Sequence, residues 1–296
     1  MREISIALTC ALFMVALPVA TRAQDSVATV PDASQWQDLE GDDSRAALAE
    51  YEILNYGPPG DKAVRRAFAF PGDADDGLYG VDVSHHNGQV DWSLLSANGV
   101  KFAYIKATQG GKFLDKRFLA NWADAGKAAG VRRGAYHFLS ADTSGAEQGE
   151  NFVRALTKAG GLGEADLAPV LDLEWHFETV NGKKLDRWRN LAPDAIAQQA
   201  LDWIAVVEKA TGRKPIIYTA DSWWSERLKT SLALQAYPHW IADYRNSSIN
   251  AGAPKSVAKH QYLAWQFTDV GTVGSAASRY DINKLKGGNL DRLSGK

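Results

Sequence analysis

From residue 79 onward, short apolar runs alternate with longer stretches in which apolar residues recur every three to four positions. Alternation with a period of two predicts strands, and a period near 3.6 predicts helices. The predicted strands are Tyr79–Ser84, Phe102–Ala107, Gly134–Phe138, Ala168–Trp175, Pro215–Thr219, His239–Tyr244, Leu263–Thr268 and Tyr280–Asn283. Helical patterns between the early strands span Asp115–Ala129, Ser144–Ala159 and Pro193–Thr211.

Strands that alternate with helices indicate an α/β fold with a parallel sheet. Eight strands in this order, over residues 78–290, predict a modified TIM-like β/α barrel. The later connections are too short for full helices. We therefore expect the last strands to be joined by hairpins or loops.

The first residues have the pattern of an export signal. Ile4–Ala20 is almost entirely apolar, and Thr21-Arg22-Ala23 offers small residues for cleavage near Ala23–Gln24. We predict a signal peptide at residues 1–23 and a mature protein that is periplasmic or secreted. A retained N-terminal anchor is the alternative. No stable membrane insertion is expected after cleavage, because no other apolar run reaches the ~18 residues of a membrane span.

Residues 24–77 have a different composition from the rest, with many Asp, Ala, Ser, Gly and Pro. Breakers such as Pro58-Pro59-Gly60 indicate a polar linker or N-terminal extension, to which we assign no chemistry. The single cysteine, Cys10, lies in the predicted signal peptide. The mature chain therefore has no disulfide and no thiolate metal site.

Charge and composition narrow the classes of function. The formal net charge is −2 over 296 residues, which gives no support for binding nucleic acid. Ten tryptophans are present, and several fall near the predicted ends of late strands. Exposed tryptophan is costly unless the ring stacks on a partner, as it does on the apolar face of a sugar.

The first candidate for chemistry is a pair of carboxyl groups in the strand Ala168–Trp175. Asp172 and Glu174 are two residues apart, so they share a face with Val170, whereas Leu171 and Leu173 share the other face. Such a pair suits glycosidic cleavage, in which one carboxyl group protonates the leaving oxygen and another supports the electron-poor sugar. On this pattern alone, a solvated pair on an edge strand is an equal alternative.

Polar and aromatic residues gather at the C-terminal ends of the predicted strands. They are Asp82, Tyr136, Asp172, Glu174, Tyr218, Asp243, Tyr244, Gln266 and Asp281. In a β/α barrel that end carries the active site, which favours catalysis over a solvated pair.

Several segments in order resemble glycoside hydrolase family 25, the N-acetylmuramidases or Chalaropsis-type lysozymes. The matching segments are Gly80–Gly88, Val90–Trp92, Phe102–Thr108, Gly134–Phe138, Leu171–Glu174, Pro215–Thr219, Trp240–Tyr244, Trp265–Thr268 and Tyr280–Asn283. Each segment is short, but the ordered set covers about Tyr79 to Leu290. Two features depart from the family: Gln109 stands where Glu is frequent, and Gly182–Trp188 is a charged insertion after the D-x-E strand.

The resemblance implies a (β/α)5(β)3 barrel that hydrolyses the β-1,4 bond between N-acetylmuramic acid and N-acetylglucosamine in peptidoglycan. By position, Glu174 matches the general acid and Asp172 the carboxylate that stabilises or orients the reacting sugar. Asp82 and Asp281 match the other two acidic residues. Four crowded carboxyl groups should raise at least one pKa by mutual repulsion, as acid catalysis requires. Whether a carboxylate or the substrate's 2-acetamido oxygen acts as nucleophile stays open, with retention through the acetamido group preferred.

Aromatic and amide side chains near the strand ends are the candidates for binding sugar. They are Tyr104, Tyr136, Tyr218, Trp240, Tyr244, Trp265 and Gln266. Lys106 alternates in phase with Tyr104 and is interpreted as a structural counter-charge to the acidic cluster.

Histidines raise the alternative of a metal site. His85 and His86 follow Asp82, but adjacent strand residues point to opposite faces, and no H-x-H pair is present. His137 is interpreted as a packed, hydrogen-bonded histidine. We therefore predict no metal and no cofactor.

Two other functions remain open alongside an exported muramidase. One is a hydrolase of chitin-type or other β-glycans, and the other is a catalytically weak barrel that only binds peptidoglycan. For the enzyme we expect a monomer whose partner is the peptidoglycan glycan strand.

Overall fold

The computed structural model describes residues 67–68, 70, 77–228, 231–244, 254 and 262–296. The predicted signal peptide at 1–23 and most of the 24–77 extension lie outside the described residues. The strands are β1 Ala67–Phe68, β2 Gly77–Val83, β3 Phe102–Gln109, β4 Phe113–Leu114, β5 Arg132–Phe138, β6 Val170–Leu173, β7 Phe177–Val180, β8 Lys183–Asp186, β9 Ile216–Ala220, β10 His239–Ala242, β11 Tyr262–Val273 and β12 Tyr280–Lys286. The helices are α1 Trp92–Ala97, α2 Phe118–Ala125, α3 Gly145–Lys158, α4 Pro193–Thr211, α5 Asp221–Trp223 and α6 Leu232–Gln235, with a π-helical turn at Trp224–Leu228.

The strands form a closed barrel in the order β2-β3-β5-β6-β9-β10-β11-β12, and β12 pairs with β2 to close it. The strands from β2 to β11 run parallel, and β12 runs antiparallel to both of its neighbours. This confirms the predicted α/β barrel with eight strands. Between β9 and β10 the structure adds short helices to the expected loops, and a hairpin links β11 to β12.

Helices cover the outside of the barrel because each carries an apolar stripe. In α4, Pro193 occupies the first turn, and Ile196, Trp203 and Val207 are buried against the sheet side. The helix ends at Gly212, whose φ of 65° is the left-handed conformation that glycine adopts without strain. In α3, the hydroxyl of Ser144 caps the first turn by accepting from the backbone N–H of Glu147. Among the described helices none has the length and apolar character to cross a membrane.

Alternation along the strands separates two apolar clusters. Side chains such as Ile105, Leu171 and Ile217 point outward and pack beneath the helices. Their neighbours in phase with Tyr104 and Val170 point inward and fill the lower part of the barrel. Because apolar residues occupy the bottom, the inward positions at the C-terminal strand ends are left to polar side chains.

The last part of the N-terminal extension contacts the barrel. Strand β1 pairs in parallel with the end of β11, through Ala67 and Phe68 opposite Thr272 and Val273. The ring of Phe70 stacks on Tyr79 with centroids 4.8 Å apart. The region that the sequence marks as a polar linker therefore ends as a docked segment.

Candidate active site

A cavity of about 440 Å³ opens at the C-terminal ends of the barrel strands. Its walls include the four carboxyl groups of Asp82, Asp172, Glu174 and Asp281. Parallel strands bring their C-terminal ends to one mouth, which is why residues 200 positions apart in sequence meet there. The carboxyl groups that the sequence selected thus lie in one cavity.

Two of these carboxyl groups are cross-strand neighbours. Asp281 on β12 pairs directly with Asp82 on β2. Side chains of directly opposed residues emerge on the same face of a sheet, and like charges in this arrangement are destabilising. This unfavourable pairing is typical of a site retained for chemistry rather than for stability.

Asp82 is held by two amide groups. Gln266 Nε2 and Asn283 Nδ2 both donate to its Oδ2 oxygen, at 2.9 Å and 2.7 Å. Asn283 is itself oriented by Trp240, whose indole Nε1 donates to Asn283 Oδ1 at 2.9 Å. The carboxylate of Asp82 therefore has a fixed direction before any ligand enters.

The amide of Gln266 is oriented in turn by two tyrosines. Tyr218 donates its hydroxyl to Gln266 Oε1 at 2.8 Å, and the hydroxyl of Tyr244 donates to the same oxygen. Burial, followed by the nearby charge of Glu174, raises the pKa of Tyr218 well above its usual value, so its hydroxyl keeps the proton. Two donors on the oxygen direct the nitrogen of this amide toward Asp82.

On the opposite side of the mouth, Asp172 lies near the end of β6 and Glu174 follows the strand. Both share the inward face with Val170, while Leu171 and Leu173 pack outward, as the alternation predicts. The strand is shorter than predicted: it ends at Leu173, so Glu174 lies on the connection after it.

The pKa of Asp172 is raised well above its usual value, first by burial and then by the charge of Glu174, which also hydrogen-bonds to it. Lys106 acts in the opposite direction and lowers this pKa. The sequence predicts a raised pKa within this cluster of carboxyl groups, and the pKa of Asp172 is raised. However, the larger cause is burial, and repulsion comes second.

Lys106 lies in the wall of the same cavity and is almost fully buried. Its Nζ donates to Gln109 Oε1 at 2.7 Å and lies 5.1 Å from the ring centroid of Phe138. Gln109, the position that departs from the family, thus gives the lysine a neutral acceptor. Gln109 therefore accepts a hydrogen bond from the ammonium group of Lys106 but does not neutralise its charge.

The charged insertion after β6 forms a two-stranded hairpin, β7–β8, beside the mouth. The 3₁₀ turn that follows it carries Trp188, which is fully buried and donates from Nε1 to the carbonyl oxygen of Glu174 at 2.9 Å. Arg187 contacts Asp142 and Glu178, which fastens the hairpin to the rim. The insertion therefore supports the backbone of Glu174.

Comparisons with known proteins agree with this geometry. The sequence profile described as glycosyl hydrolases family 25 matches residues 81–276. The chain belongs to this family. Lysozyme M1 of Streptomyces globisporus is 32% identical over 228 residues, which cover 73% of this chain and 70% of that protein.

Two further relatives match nearly over their full length. N,O-diacetylmuramidase of Chalaropsis sp. is 31% identical over 224 residues, covering 73% of this chain and 97% of its own. The crystal structure of the bacterial lysozyme from Streptomyces coelicolor superposes with a TM-score of 0.61 at 32% identity, covering 74% and 96% of the two chains. These matches confirm the family and the fold that the ordered motifs predicted, and with them a glycoside hydrolase.

Five of the side chains predicted to bind sugar line the cavity of this family 25 protein: Tyr136, Tyr218, Trp240, Tyr244 and Gln266. Trp265 does not, because it adjoins Gln266 and therefore points outward; it packs on Phe267 and donates from Nε1 to the carbonyl of Asp243. Tyr104 lies one layer below Lys106 in the barrel interior, with its ring 5.1 Å from Trp240. Both positions correct the expectation of direct sugar contact.

Three residues of the family 25 site went unrecognised in the sequence. Asn283 was detectable, since it follows Asp281 by two positions on one strand and so shares its inward face. Trp175 lines the cavity, stacked on Phe177 at 6.0 Å and covered by the guanidinium of Arg227 at 4.8 Å. Arg279 also lines the cavity, from the loop before β12, and no sequence pattern marked it.

The histidines have separate environments. His85 and His86 form part of a 3₁₀ turn rather than a strand, so the argument from strand alternation does not apply to them. His85 Nδ1 lies 2.7 Å from Asp115 Oδ2, while His86 lines the cavity. Within the described residues, no group of three or more His, Cys, Asp or Glu side chains is arranged to hold a metal ion.

His137 is packed and hydrogen-bonded, as interpreted from the sequence. Its Nδ1 is 2.7 Å from Thr108 Oγ1 and its Nε2 is 3.1 Å from Gln148 Oε1. Burial lowers the pKa of His137 to about 3, so the ring is neutral. It has a structural role beneath the outer helices.

Proposed function

We propose that this chain is an exported N-acetylmuramidase that hydrolyses the β-1,4 bond between N-acetylmuramic acid and N-acetylglucosamine in peptidoglycan. The observation that carries the proposal is the meeting of Asp82, Asp172, Glu174 and Asp281 in one cavity of a family 25 barrel. Two relatives, a lysozyme and an N,O-diacetylmuramidase, support the choice of substrate.

Glu174 acts as general acid in this proposal. Its carboxyl group gives a proton to the glycosidic oxygen as the bond to C1 of the muramic acid breaks, and the N-acetylglucosamine leaves with a free 4-hydroxyl group. Asp172, hydrogen-bonded to Glu174 and buried, keeps a proton within the pair. Glu174 ends the first step as a carboxylate.

The electron-poor C1 is then captured and released. The 2-acetamido oxygen of the same sugar bonds to C1 and Asp172 orients the acetamido group, while the carboxylate left on Glu174 offsets the positive charge of the ring that forms. Water next attacks C1, the bond from C1 to the acetamido oxygen breaks, and the water gives its proton to Glu174, so that the acid is regenerated and the configuration at C1 is retained. A carboxylate nucleophile, with Asp82 or Asp281 at the opposite side of the mouth, is the alternative.

The remaining walls position the glycan. Tyr136 and Tyr244 offer aromatic surface, and the apolar faces of sugar rings stack on such surface. The tyrosine and amide network around Gln266 holds the carboxylate of Asp82 rigid, which lowers the cost of ordering the site on binding. We propose a cofactor-free monomer that acts in the periplasm or outside the cell and binds neither nucleic acid nor metal.

Digestion of purified peptidoglycan, followed by borohydride reduction and mass spectrometry, tests the proposal. We expect every new reducing end to be N-acetylmuramic acid. Reducing ends on N-acetylglucosamine or anhydro products would contradict it. Cleavage of chitin oligosaccharides without attack on peptidoglycan would support the chitin-type alternative. Tight binding without released fragments would support the binding barrel.

A further inference from the structure

One side of the cavity is a rigid platform built from two loops. Asn87 is buried in the turn after β2, and its Nδ2 donates to the carbonyl oxygen of Arg279 at 2.7 Å. The backbone N–H of Ser84 donates to Asn87 Oδ1 at 2.8 Å, and the hydroxyl of Ser278 donates to the carbonyl of Asn87 at 3.0 Å. These bonds join the start of β12 to the end of β2.

This platform presents two side chains with N–H donors to the cavity. His86 and Arg279 both line it, and both are exposed to solvent. Arg279 takes part in no ion pair formed by the described residues. Residues 245–261, most of which the structure does not describe, contain no Asp or Glu that could pair with Arg279.

The arginines on the other side of the mouth, in contrast, form ion pairs. Arg189 lies 2.9 Å from Glu178, Arg227 lies 2.7 Å from Asp186, and Arg187 contacts Asp142. Those arginines fasten the hairpin to the rim. The side chain of Arg279 has no such structural bond among the described residues, so within that part of the chain its guanidinium is open to a ligand.

Charge in the cavity explains why a ligand would need this cation. Four carboxyl groups and Asp269 line the cavity, whereas Lys106 is buried and bonded to Gln109. N-acetylmuramic acid differs from N-acetylglucosamine by a lactyl ether that carries the stem peptide, and the free carboxylates of this branch are ionised at neutral pH. Over distances below the ~8 Å Debye length, the acidic cavity repels such a branch unless a cation receives it.

We propose that Arg279, with His86 on the same side, binds a carboxylate of the lactyl-peptide branch of the substrate. The site lies across the mouth from the general acid, because β12 is four places from β6 in a closed ring of eight strands. A planar guanidinium binds carboxylate through two parallel N–H bonds, which suits this ligand. The inference rests on the proposed muramidase function and adds a basis for preferring peptidoglycan to a neutral glycan.

Steady-state kinetics on three forms of the same glycan test the proposal. The first form carries native stem peptides, the second is stripped of peptide and ends in the lactyl carboxylate, and the third is peptide-bearing with all carboxylates chemically amidated. For Arg279→Gln we expect kcat/KM on the native form to fall about three- to ten-fold, mainly through KM, as for a partly exposed charge-assisted bond. The loss should shrink in high salt and be largely restored by Arg279→Lys.

The amidated glycan separates this role from a structural one. The Arg279→Gln variant and the native enzyme should cleave the amidated glycan equally. Lys127 is an exposed cation paired with Asp124 on α2, and Lys127→Gln should leave kcat/KM unchanged on all three forms. A loss on the stripped glycan shows that Arg279 binds the lactyl carboxylate that removal of the peptide exposes. A loss confined to the native form assigns a carboxylate of the peptide, because the lactyl carboxyl group is an amide where the peptide is attached.

Equal loss on the amidated glycan, or no loss on any form, would overturn the proposal. Products with N-acetylmuramic acid ends from the native enzyme would uphold the proposed function in either case.

Discussion

The indole Nε1 of Trp188 donates a hydrogen bond of 2.9 Å to the backbone carbonyl oxygen of Glu174. The donor comes from the insertion after the D-x-E strand, and the acceptor belongs to the residue proposed as general acid. Glu174 lies beyond the end of β6, so the strand ladder alone does not fix its position. A contribution of the insertion to catalysis follows from this contact.

Trp188→Phe keeps the ring in place and removes the donor. We expect the free energy of unfolding to fall by about 1–3 kcal/mol, because a part-buried carbonyl loses its partner. We also expect turnover to fall several-fold, since a small displacement of the acid reduces proton transfer. Thermal unfolding and initial rates on peptidoglycan measure the two effects.

Trp203→Phe is the matched control. Trp203 is equally buried, but its Nε1 has no hydrogen-bond partner among the described residues. Its loss should affect packing in α4 and leave turnover per folded molecule unchanged. A Trp188→Phe enzyme with native turnover would show that the hairpin does not position Glu174.

Features set by neighbouring residues are predictable from the sequence, whereas features set by contacts between distant segments are not. The barrel strands and the inward direction of Asp172 follow from local periodicity, because successive side chains on a strand point to opposite faces. Strand alternation also predicts that Trp265 points outward, because Gln266 and Trp265 are adjacent and cannot both point inward. The position of Trp265 outside the cavity is therefore predictable from the sequence.

Contacts between distant segments were beyond the sequence. No pattern links Asn283 to Asp82, 201 positions away, or places Arg279 beside the turn that holds Asn87. Burial as the leading cause of the raised pKa of Asp172 also depends on the packed structure, since the sequence reveals only that carboxyl groups are near one another.

Asp172→Asn should stabilise the fold at neutral pH while lowering turnover. The pKa of Asp172 is raised on folding, so the folded state holds this proton more tightly than the unfolded state does. Its contribution to stability is therefore present below the unfolded pKa of about 3.9 and is lost as pH rises toward the folded value. The melting temperature of Asp172→Asn should exceed that of the native enzyme at pH 7, and the difference should vanish near pH 4.

Asp202→Asn provides the comparison, because Asp202 lies on α4 away from the mouth and bonds to Gln198. Its melting temperature should follow the native enzyme at both pH values. If Asp172→Asn is less stable than the native enzyme at pH 7, the carboxylate is ionised and stabilising, contrary to this account.

Lys106→Met should shift the pH profile of kcat/KM toward alkaline pH. Lys106 lowers the pKa of Asp172, so its removal lets the Asp172–Glu174 pair hold its proton to higher pH. Rates measured from pH 4 to 9 locate both limbs of the profile.

Gln109→Glu shifts the profile in the same direction if charge is the cause, because a carboxylate beside Nζ offsets the lysine. Gln109→Met removes the hydrogen bond without adding charge and should leave both limbs in place. An unshifted profile in Lys106→Met and Gln109→Glu alike would exclude an electrostatic role for Lys106.

The turnover number of Glu174→Gln on peptidoglycan tests the central claim most directly. Glutamine keeps the shape and packing of Glu174 but has no proton to give, so we predict a fall of about 10²–10⁴-fold in kcat with an unchanged melting temperature and retained glycan binding. Glu150→Gln, on α3 and paired with Arg154, should keep native turnover. Near-native turnover of Glu174→Gln would contradict the assignment of the general acid and, with it, the mechanism proposed for this site.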